Sequence, residues 1–530
     1  MSKQLIIAEK PSVAQDIARA LGGFTKEKDY YESEDYVLSS AVGHLLELAV
    51  PEEYEVKRGK WSFANLPVIP PRFAVKPIEK TEDRLKLLTR LIKRKDVTGL
   101  INACDAGREG ELIFNFIAQH AGGKKPTARL WLQSMTPQAI RNGFTHLRSA
   151  EEVEGLRNAA ICRAESDWLI GINGTRAMTA FNSKTGGFHL TTVGRVQTPT
   201  LALVVEREER IRKFKSRDYW ELEADFAASA GHYPGRWFDE NFKKVEGDEH
   251  ATAYRLWQAD KAEAIRAKCA GKPGVVSEES KPSTQQSPLL FDLTSLQREA
   301  NGRFGFSARV TLQLAQALYE KHKVLTYPRT DARALPEDYL GTVSEVLANL
   351  PAEYAPFAEQ IKTQGWVRPN KRIFNNAKIS DHFAIIPTGT LPKTLSEAEQ
   401  KIYDLVTRRF LAVFYPPAEY QITTRITRVE GEAFKTEGKV LVNPGWLAVY
   451  GKEAAVSDDK EGGAQLVPVT QGETVATEDI LVKALQTKPP ARYNEATLLS
   501  AMEGAGKMVD DEELRAAMAE RGLGTPATRA

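Results

Sequence analysis

Residues 100–117 read LINACDAGREGELIFNFI, an apolar run that passes through an acidic turn into an amphipathic stretch. Residues 100–103 have the composition of a buried strand. The apolar residues of the second half recur at helical spacing: Leu112, Ile113, Phe116 and Ile117. A strand that leads directly into a helix is the repeating unit of α/β domains, so this segment predicts an α/β fold for its part of the chain.

The residues around this segment continue the alternation. Residues 5–8 predict a second buried strand, and residues 13–21 and 85–92 predict helices with one apolar face. Residues 1–150 are therefore interpreted as one Rossmann-like α/β domain.

Beyond this domain, two stretches of short alternating segments flank a helical block. The simplest interpretation is one β domain interrupted by an inserted helical domain, with the Ser/Pro/Gln stretch 281–288 as the hinge into it. The predicted parts are 151–215 (helical, first part), 216–280 (β-rich, first part), 281–410 (helical, carrying Tyr327), 411–482 (β-rich, second part) and 483–530 (helical, second part).

The composition limits the classes of protein to consider. The 530 residues are 42% hydrophobic and 27% charged, which is typical of a soluble chain with several domains. No apolar run approaches the roughly 20 residues that span a bilayer, and the first residues lack the pattern of a signal peptide. We therefore expect no membrane association and a cytoplasmic location.

Charge and cysteine usage exclude further classes. Lys and Arg number 72 against 70 Asp and Glu, so any nucleic-acid surface must be local. Cys104, Cys162 and Cys269 are isolated and predict neither disulfides nor a zinc ribbon. No G-x-x-x-x-G-K-[ST] phosphate loop occurs, so ATP is not an expected cofactor.

Acidic residues occur where two predicted strands end. Glu9 follows the first strand, and Asp105, Glu109 and Glu111 follow the strand at 100–103. Ligands of open α/β sheets bind outside the carboxyl ends of the strands. If the two strands are neighbours, Glu9, Asp105 and Glu109 converge on an oxygen-rich site suited to Mg²⁺. Each acid taken alone is more often a helix cap or a solvated charge.

Tyr327 lies in LTYPRTD at 325–331, where Pro328 restrains the tyrosine to an extended backbone. A phenol with a pKa of about 10 is a weak nucleophile at neutral pH, so a catalytic tyrosine needs a cation such as Arg329. A core tyrosine at the end of a helix is the alternative, and this pattern alone favours it.

Two polar stretches, RAESDW at 163–168 and GRVQTP at 194–199, mix arginine with glutamine or aromatic residues near predicted helix ends. Such residues hold phosphates and stack on unpaired bases, although an ordinary solvated surface is the alternative. His382, in SDHF at 380–383, is either a proton carrier or phosphate donor, or a structural histidine.

Taken in their order along the chain, these segments resemble the motifs of the type IA DNA topoisomerases. The matching segments are IAEKPS at 7–12, DAGREGE at 105–111, GRVQTP at 194–199, YPRTD at 327–331, SDHFAIIPT at 380–388 and GLGTPATR at 522–529. The first and the fifth resemble the topoisomerase III branch more than the topoisomerase I branch. The resemblance covers essentially the whole chain.

The resemblance implies an α/β plus mixed α+β multidomain fold, with an N-terminal TOPRIM domain, a β-rich arch and two helical domains related to winged helices, arranged as a toroid. It implies an ATP-independent enzyme that cuts one strand through a 5′-phosphotyrosine link, passes another strand and rejoins the cut. The enzyme would relax negative supercoils and decatenate DNA, acting on single-stranded or negatively supercoiled DNA. It would be a monomer in the nucleoid, with a RecQ-type helicase or a single-strand-binding protein as candidate partners.

The resemblance also implies a role for each matching residue. Tyr327 would attack a backbone phosphate, Arg329 would stabilise its charge and Lys10 would contact it. Glu9 would carry the proton of the 3′-oxygen, and Mg²⁺ would serve chiefly in rejoining. The metal ligands would be Glu9, Asp105 and Glu109. The residues that position the strand near the cut would be Arg163, Asp167, Arg176, Arg195, Gln197 and His382.

The chain departs from the family pattern at one acid. The usual motif is D-x-D-x-E, and Gly107 stands where the middle acid is expected. We expect a water to replace that ligand, and Gly107→Asp to strengthen metal binding unless the backbone requires glycine. The fourth domain of the family would continue beyond Ala530. Two rival interpretations are a TOPRIM primase or nuclease and a DNA-binding scaffold without chemistry, and neither requires Tyr327.

Overall fold

The structure, a computed structural model, describes residues 2–54, 61–122, 124–451, 466–508, 522–526 and 528–529. Within these ranges, no helix is both long enough and apolar enough to cross a membrane.

The N-terminal part of the chain is a sheet covered by helices. Its strands are β1 (Lys3–Ala8), β2 (Thr25–Lys26), β3 (Tyr31–Glu32), β4 (Tyr36–Ser40), β5 (Leu46–Leu48), β6 (Val75–Pro77), β7 (Val97–Ala103), β8 (Thr127–Arg129) and β9 (Arg148–Ser149). Its helices are α1 (Pro11–Leu21), α2 (Glu82–Ile92), α3 (Arg108–His120) and α4 (Pro137–Thr145).

Seven of these strands form one sheet in the order β2-β3-β4-β1-β7-β8-β9, and β5 pairs with β6 separately. Strand β1 is parallel to both of its neighbours, β4 and β7, and its side chains alternate between two cores. Leu5 and Ile7 pack into one apolar cluster, and Ile6 and Ala8 pack into another on the opposite face. A strand buried on both faces is what a Rossmann-like sheet requires, so the predicted α/β domain is confirmed.

Two long helices, α5 (Glu154–Asn182) and α6 (Gln197–Lys213), follow this domain. Helix α5 packs against α3, and its Ala160 belongs to the core of the sheet domain. The indole of Trp168 donates a hydrogen bond of 2.8 Å to the carbonyl oxygen of Ala49. These contacts attach the first helical part to the sheet domain.

A closed barrel follows, built from two distant stretches of chain. Its strands are β10 (Asp218–Ala228), β11 (Gly231–Phe238), β12 (Pro273–Gln285), β13 (Ala418–Val429), β14 (Glu432–Asn443) and β15 (Thr474–Gln486), in the order β10-β11-β14-β13-β12-β15. Neighbouring strands are antiparallel, and helix α7 (Ala259–Cys269) packs against β15. Leu222, Phe226 and Phe434 lie in its buried core.

The stretch 281–288, predicted to be a hinge, mostly continues strand β12. Residues 281–285 pair with β13 as far as Gln285, which lies opposite Ala418. The predicted hinge was therefore wrong for residues 281–285. Pro282 has no amide hydrogen to donate. On its other edge, β12 pairs with β15 only at Pro273–Val275. In the described part of the chain, the second half of β12 therefore has no strand on that edge, and a proline is tolerated there.

Between β12 and β13 lies the helical block, whose helices are α8 (Leu293–Phe304), α9 (Ala308–Glu320), α10 (Leu340–Ala348), α11 (Ala355–Thr363) and α12 (Glu397–Ala412). We call this block the helical insert. Reciprocal caps begin α8 at Asp292 and α12 at Ser396. After the barrel, helix α13 (Glu495–Glu503) packs against α8.

Short 3-10 turns complete the described secondary structure: Pro51–Tyr54, Phe63–Asn65, Glu79–Thr81, Glu337–Tyr339, Ala352–Tyr354, Asn376–Lys378, Gly445–Tyr450 and Ala505–Met508.

Candidate active site

The two acidic strand ends meet because β1 and β7 are parallel neighbours. Their last residues, Ala8 and Ala103, lie opposite each other in the register. Glu9 and Asp105 therefore leave the sheet at the same edge, and the amide of Asp105 donates to a Glu9 carboxylate oxygen at 3.3 Å. The predicted convergence of these two acids is present.

Lys10 joins the two carboxylates to a tyrosine from the helical insert. Its Nζ lies 2.8 Å from Asp105 Oδ2, 3.6 Å from Glu9 Oε1 and 4.1 Å from the centre of the Tyr327 ring. Burial alone would lower the pKa of Lys10, but Asp105 and Glu9 outweigh it and raise that pKa. Lys10 is therefore a cation fixed between the acids and the phenol.

Glu9 and Asp105 differ in their ionisation. Burial and the adjacent charge of Asp105 raise the pKa of Glu9 to about 7. Burial also opposes the ionisation of Asp105, but hydrogen bonds and charges from His382 and Lys10 outweigh it and hold its pKa below the usual range. At neutral pH the pair therefore holds an ionised Asp105 beside a Glu9 that readily carries a proton.

Tyr327 is placed by two adjacent segments of the helical insert. The amide of Thr326 donates to the carbonyl of Ile386 at 2.9 Å, and the hydroxyl of Thr330 donates to the carbonyl of His382 at 2.8 Å. The LTYPRTD and SDHFAIIPT segments therefore lie side by side. The rings of Tyr327 and His382 are 4.4 Å apart, and His382 Nε2 lies 3.2 Å from Asp105 Oδ2.

The phenol of Tyr327 is not activated by its surroundings alone. Burial raises its pKa above the usual value, although the charges of Lys10 and Arg329 act in the opposite direction. Arg329 is exposed, and its guanidinium donates to Gln316 at 3.4 Å. It lies near enough to act on the phenol electrostatically while its head remains in solvent.

The other two acids of the motif at 105–111, Glu109 and Glu111, face away from Glu9 and Asp105. Glu109 lies at the start of α3 with an exposed side chain, and its carboxylate lies 3.1 Å from His44 Nε2. That hydrogen bond lowers the pKa of Glu109. Glu111 is buried and forms an ion pair of 2.6 Å with Arg129. Of the predicted metal ligands, Glu9 and Asp105 are therefore adjacent and Glu109 stands apart with His44.

Arg129 is a positioning residue that the sequence analysis missed. Besides Glu111, its guanidinium donates to the backbone carbonyls of Cys104 and Asp105, both at 2.6 Å. It therefore fixes the turn that carries Asp105. An arginine within a short strand has no sequence pattern that distinguishes it from a surface charge.

Gly107 has an extended backbone, with φ −165°, which any residue can adopt. However, a Cβ at this position would lie 2.0 Å from Oδ1 of Asp381. Gly107→Asp, which was expected to strengthen metal binding, would therefore collide with a second carboxylate. Burial raises the pKa of Asp381 to about 6, and the charges of Asp331 and Asp105 add to this.

The residues expected to position DNA fall into two groups. Arg163 and Arg195 line a cleft of about 690 Å³ together with Arg108, and Arg195 forms an ion pair of 2.5 Å with Asp167. Gln197 is exposed at the first position of α6.

Arg176 belongs to the second group. Its side chain is only 7% exposed, it pairs with Glu52 at 2.7 Å, and its guanidinium stacks on Trp61. Its charge pairs α5 with the sheet domain in this structure, and its contact with DNA stays a prediction.

Comparisons with known proteins agree with this arrangement. A model of the Toprim domain matches residues 4–134, and a DNA topoisomerase model matches residues 151–530. DNA topoisomerase 3 of Bacillus cereus (strain ATCC 14579) is 42% identical over 541 aligned residues, which cover 100% of this chain and 71% of that protein. DNA topoisomerase 3 of Bacillus subtilis (strain 168) is 41% identical with the same coverage.

A solved structure of full-length topoisomerase I from Thermotoga maritima has a TM-score of 0.63 at 22% identity, over 99% of this chain and 77% of that one, which shows a shared fold. Fold and matches together define a Toprim-containing isomerase of DNA. The chain belongs to the type IA DNA topoisomerases and, among them, to the topoisomerase III branch. The expected family, fold class and enzyme class are confirmed, and the two rival interpretations are wrong. A Toprim domain is a metal-binding domain.

Proposed function

We propose that Tyr327 cuts one DNA strand and holds its 5′ end as a phosphotyrosine while another strand passes, after which the cut is resealed. The observation that carries this proposal is the position of the Tyr327 ring, 4.1 Å from Lys10 Nζ and 4.4 Å from the His382 ring, at the acidic edge of the Toprim sheet. A phosphate placed between Lys10 and the phenol would be within reach of the nucleophile.

The chemistry exchanges one phosphoester bond for another. The phenolic oxygen of Tyr327 loses its proton to water and bonds to phosphorus, while the bond from phosphorus to the 3′-oxygen breaks. Glu9, with a pKa of about 7, gives its proton to that oxygen and takes it back on rejoining. Lys10 and Arg329 stabilise the charge of the phosphoryl oxygens. Because the new ester conserves the energy of the old one, no ATP is needed.

The donor set at the sheet edge supports Mg²⁺ as the metal ion. Mg²⁺ binds through few carboxylates because it keeps several waters, and Glu9 and Asp105 are adjacent here. Burial and the adjacent charge of Asp105 raise the pKa of Glu9, so a cation bound here would favour the ionised form of Glu9. When bound, the ion supplies positive charge at the phosphate and the 3′-oxygen during rejoining. Glu109 remains a candidate ligand beside His44.

The substrate is unpaired DNA, in single strands or in negatively supercoiled duplex that melts easily. The cleft that contains Arg163 and Arg195 supports this, since arginines along a groove hold the backbone of a single strand. His382 would act at the cut, held by Asp105. The expected monomeric state, nucleoid location and helicase or single-strand-binding partners rest on the family resemblance.

Cleavage of a labelled single strand tests the proposal. With Tyr327→Phe, we expect no covalent adduct after denaturation and DNA binding within about threefold of the original, because only the nucleophilic oxygen is lost. A label at the 3′ end of the oligonucleotide should remain with the unaltered protein, and a label at the 5′ end should be released.

Tyr319→Phe is the matched control, because the Tyr319 ring lies 5.3 Å from that of Tyr327. It should form the adduct normally. An adduct that survives in Tyr327→Phe, or that disappears only in Tyr319→Phe, would refute the assignment.

A further inference from the structure

The space beside Gly107 is filled by a carboxylate from another part of the chain. A Cβ on Gly107 would lie 2.0, 2.2 and 2.3 Å from Oδ1, Cγ and Oδ2 of Asp381. All three atoms of the carboxyl group therefore occupy the position where a side chain at 107 would begin. The acid that the family pattern places at 107 is absent, and a different acid lies in its place.

Asp381 is held there from two sides. Its neighbour Ser380 donates to Asp331 at 2.7 Å, and its neighbour His382 contacts Asp105 at 3.2 Å. From the Toprim domain, Gln133 donates to the carbonyl of Ile379 at 2.6 Å. The segment that carries Asp381 is therefore fixed to both the helical insert and the Toprim domain.

The Asp381 carboxylate lies among charges of both signs. Asp105 and Asp331 both act on it with like charge, whereas Arg108 and His382 act with opposite charge. Among the described residues, no hydrogen bond or ion pair of the Asp381 side chain is formed, although it is part-buried. A part-buried carboxylate that forms no hydrogen bond or ion pair within the described residues can take a cation as its partner.

We propose that Asp381 supplies the carboxylate that Gly107 lacks, so that the metal site of the Toprim domain is completed by the helical insert. This inference rests on the metal site of the proposed function. It explains why glycine stands at 107, since any larger residue there would displace the Asp381 carboxyl group.

The dissociation constant of Mn²⁺ from the full chain can be measured by detecting the free ion with electron paramagnetic resonance. This measurement does not depend on enzyme activity. Asp381→Asn keeps the shape and removes the charge, and we expect it to raise the dissociation constant at least about fivefold, because affinity follows the number of charged ligands. Asp225→Asn is the control for background binding, because Asp225, His232 and Glu478 form an exposed group on the barrel that can also hold an ion. It should leave the affinity of the Toprim site unchanged.

Placing a carboxylate at position 107 and removing that of Asp381 tests directly whether the two positions are interchangeable. Gly107→Asp alone should weaken Mn²⁺ binding, because two carboxyl groups compete for one space. Gly107→Asp combined with Asp381→Ala should restore the dissociation constant to within about twofold of the original, a non-additive result that only neighbouring residues give. If Gly107→Asp does not fold by itself, Asp381→Asn and the double variant still decide the question.

The outcomes separate this inference from the proposed function. A site that Asp105→Asn abolishes and Asp381→Asn leaves unchanged would overturn the role of Asp381 while the proposed metal site stands. Mn²⁺ binding that neither variant alters would overturn the metal site and this inference together. Adduct formation by Tyr327, measured separately with the chelated protein, reports on the cleavage proposal in either case.

Discussion

At the scale of single residues, Glu9 and Asp105 carry the same chemical group, and their pKa values are shifted in opposite directions. Asp105 receives Lys10 and His382 at 2.8 and 3.2 Å, whereas Glu9 lies 3.6 Å from Lys10. The cations therefore stabilise the charge of Asp105, and burial leaves the proton on Glu9. Such a pair can both contact a phosphate and deliver a proton at the same edge of the sheet.

This difference predicts the pH dependence of cleavage. The pKa of Glu9 is raised to about 7, so the proton is present below pH 7 and is lost as the pH rises through that value. With metal chelated, we expect the initial rate of adduct formation on single-stranded DNA to fall along a single ionisation near pH 7. Glu9→Gln should be slower and should lack this ionisation.

The control is Glu109→Gln, which removes an acid of the motif at 105–111 whose pKa is lowered by His44. It should keep the midpoint of the original protein. The same midpoint in Glu9→Gln would assign the ionisation to another group.

Single residues also mark how far the sequence predicts the site. Glu9 and Asp105 were singled out because each follows a predicted strand, and Tyr327 because it precedes a proline. Lys10 was named through the family resemblance, and His382 as a titratable side chain within a motif. The sequence does not reveal that Glu52 pairs with Arg176, and the predicted contact of Arg176 with DNA stays a prediction. Asp381 stood next to His382 in a quoted motif, but its approach to Gly107 depends on how the insert meets the Toprim domain.

At the scale of elements, the turn after β7 is braced by the ion pair between Glu111 on α3 and Arg129 at the end of β8. Arg129 also donates to the carbonyl of Asp105 at 2.6 Å. The helix and the neighbouring strand therefore hold the catalytic turn through one buried guanidinium. Such a group loses its counter-charge if Glu111 is neutralised.

Glu111→Gln should therefore destabilise the Toprim domain by about 3 kcal/mol, because it leaves a buried arginine without its counter-charge. The free energy of unfolding in urea measures the loss, and hydrogen–deuterium exchange of residues 100–111 should become faster. Glu109→Gln, at an exposed position two residues earlier, should cost less than about 1 kcal/mol. Equal losses in the two variants would contradict the bracing role.

Sequence patterns predicted the helices and strands whose formation depends on residues that are close together in the chain. The alternation of buried strands and amphipathic helices gave the sheet domain, because burial on both faces of β1 and β7 leaves a continuous apolar run. Strand β12 was missed in its second half because Ser, Pro and Gln are typical of loops. Its pairing with β13, more than 130 residues later in the chain, decides its structure and leaves no trace in the local sequence.

At the scale of the whole molecule, the site is shared between bodies that are far apart in the chain. Glu9, Lys10 and Asp105 come from the Toprim sheet, and Tyr327 and His382 come from the helical insert. Cleavage needs the phenol beside Lys10, whereas rejoining must also recapture the 3′-oxygen on the Toprim side. In the proposed mechanism, the metal ion acts in the second of these steps.

Chelation should therefore affect the two steps differently. With EDTA, we expect the adduct on single-stranded DNA to accumulate and relaxation of supercoiled DNA to stop, and added Mg²⁺ should reverse both without ATP. Asp105→Asn should behave like the chelated protein even in excess Mg²⁺. Gels of denatured adduct and of relaxed plasmid measure the two steps. Relaxation that continues in EDTA would contradict a metal role in rejoining.

The pairing of Gln285 with Ala418 places the two ends of the helical insert on adjacent strands of the barrel. A domain whose two ends join neighbouring strands can rotate as a rigid unit about that edge of the barrel without stretching the chain elsewhere. In the proposed mechanism, such a rotation would carry the 5′ end bonded to Tyr327 away while the Toprim side keeps the 3′ end. Passage of one strand through that opening would change the linking number of the DNA by one in each cycle.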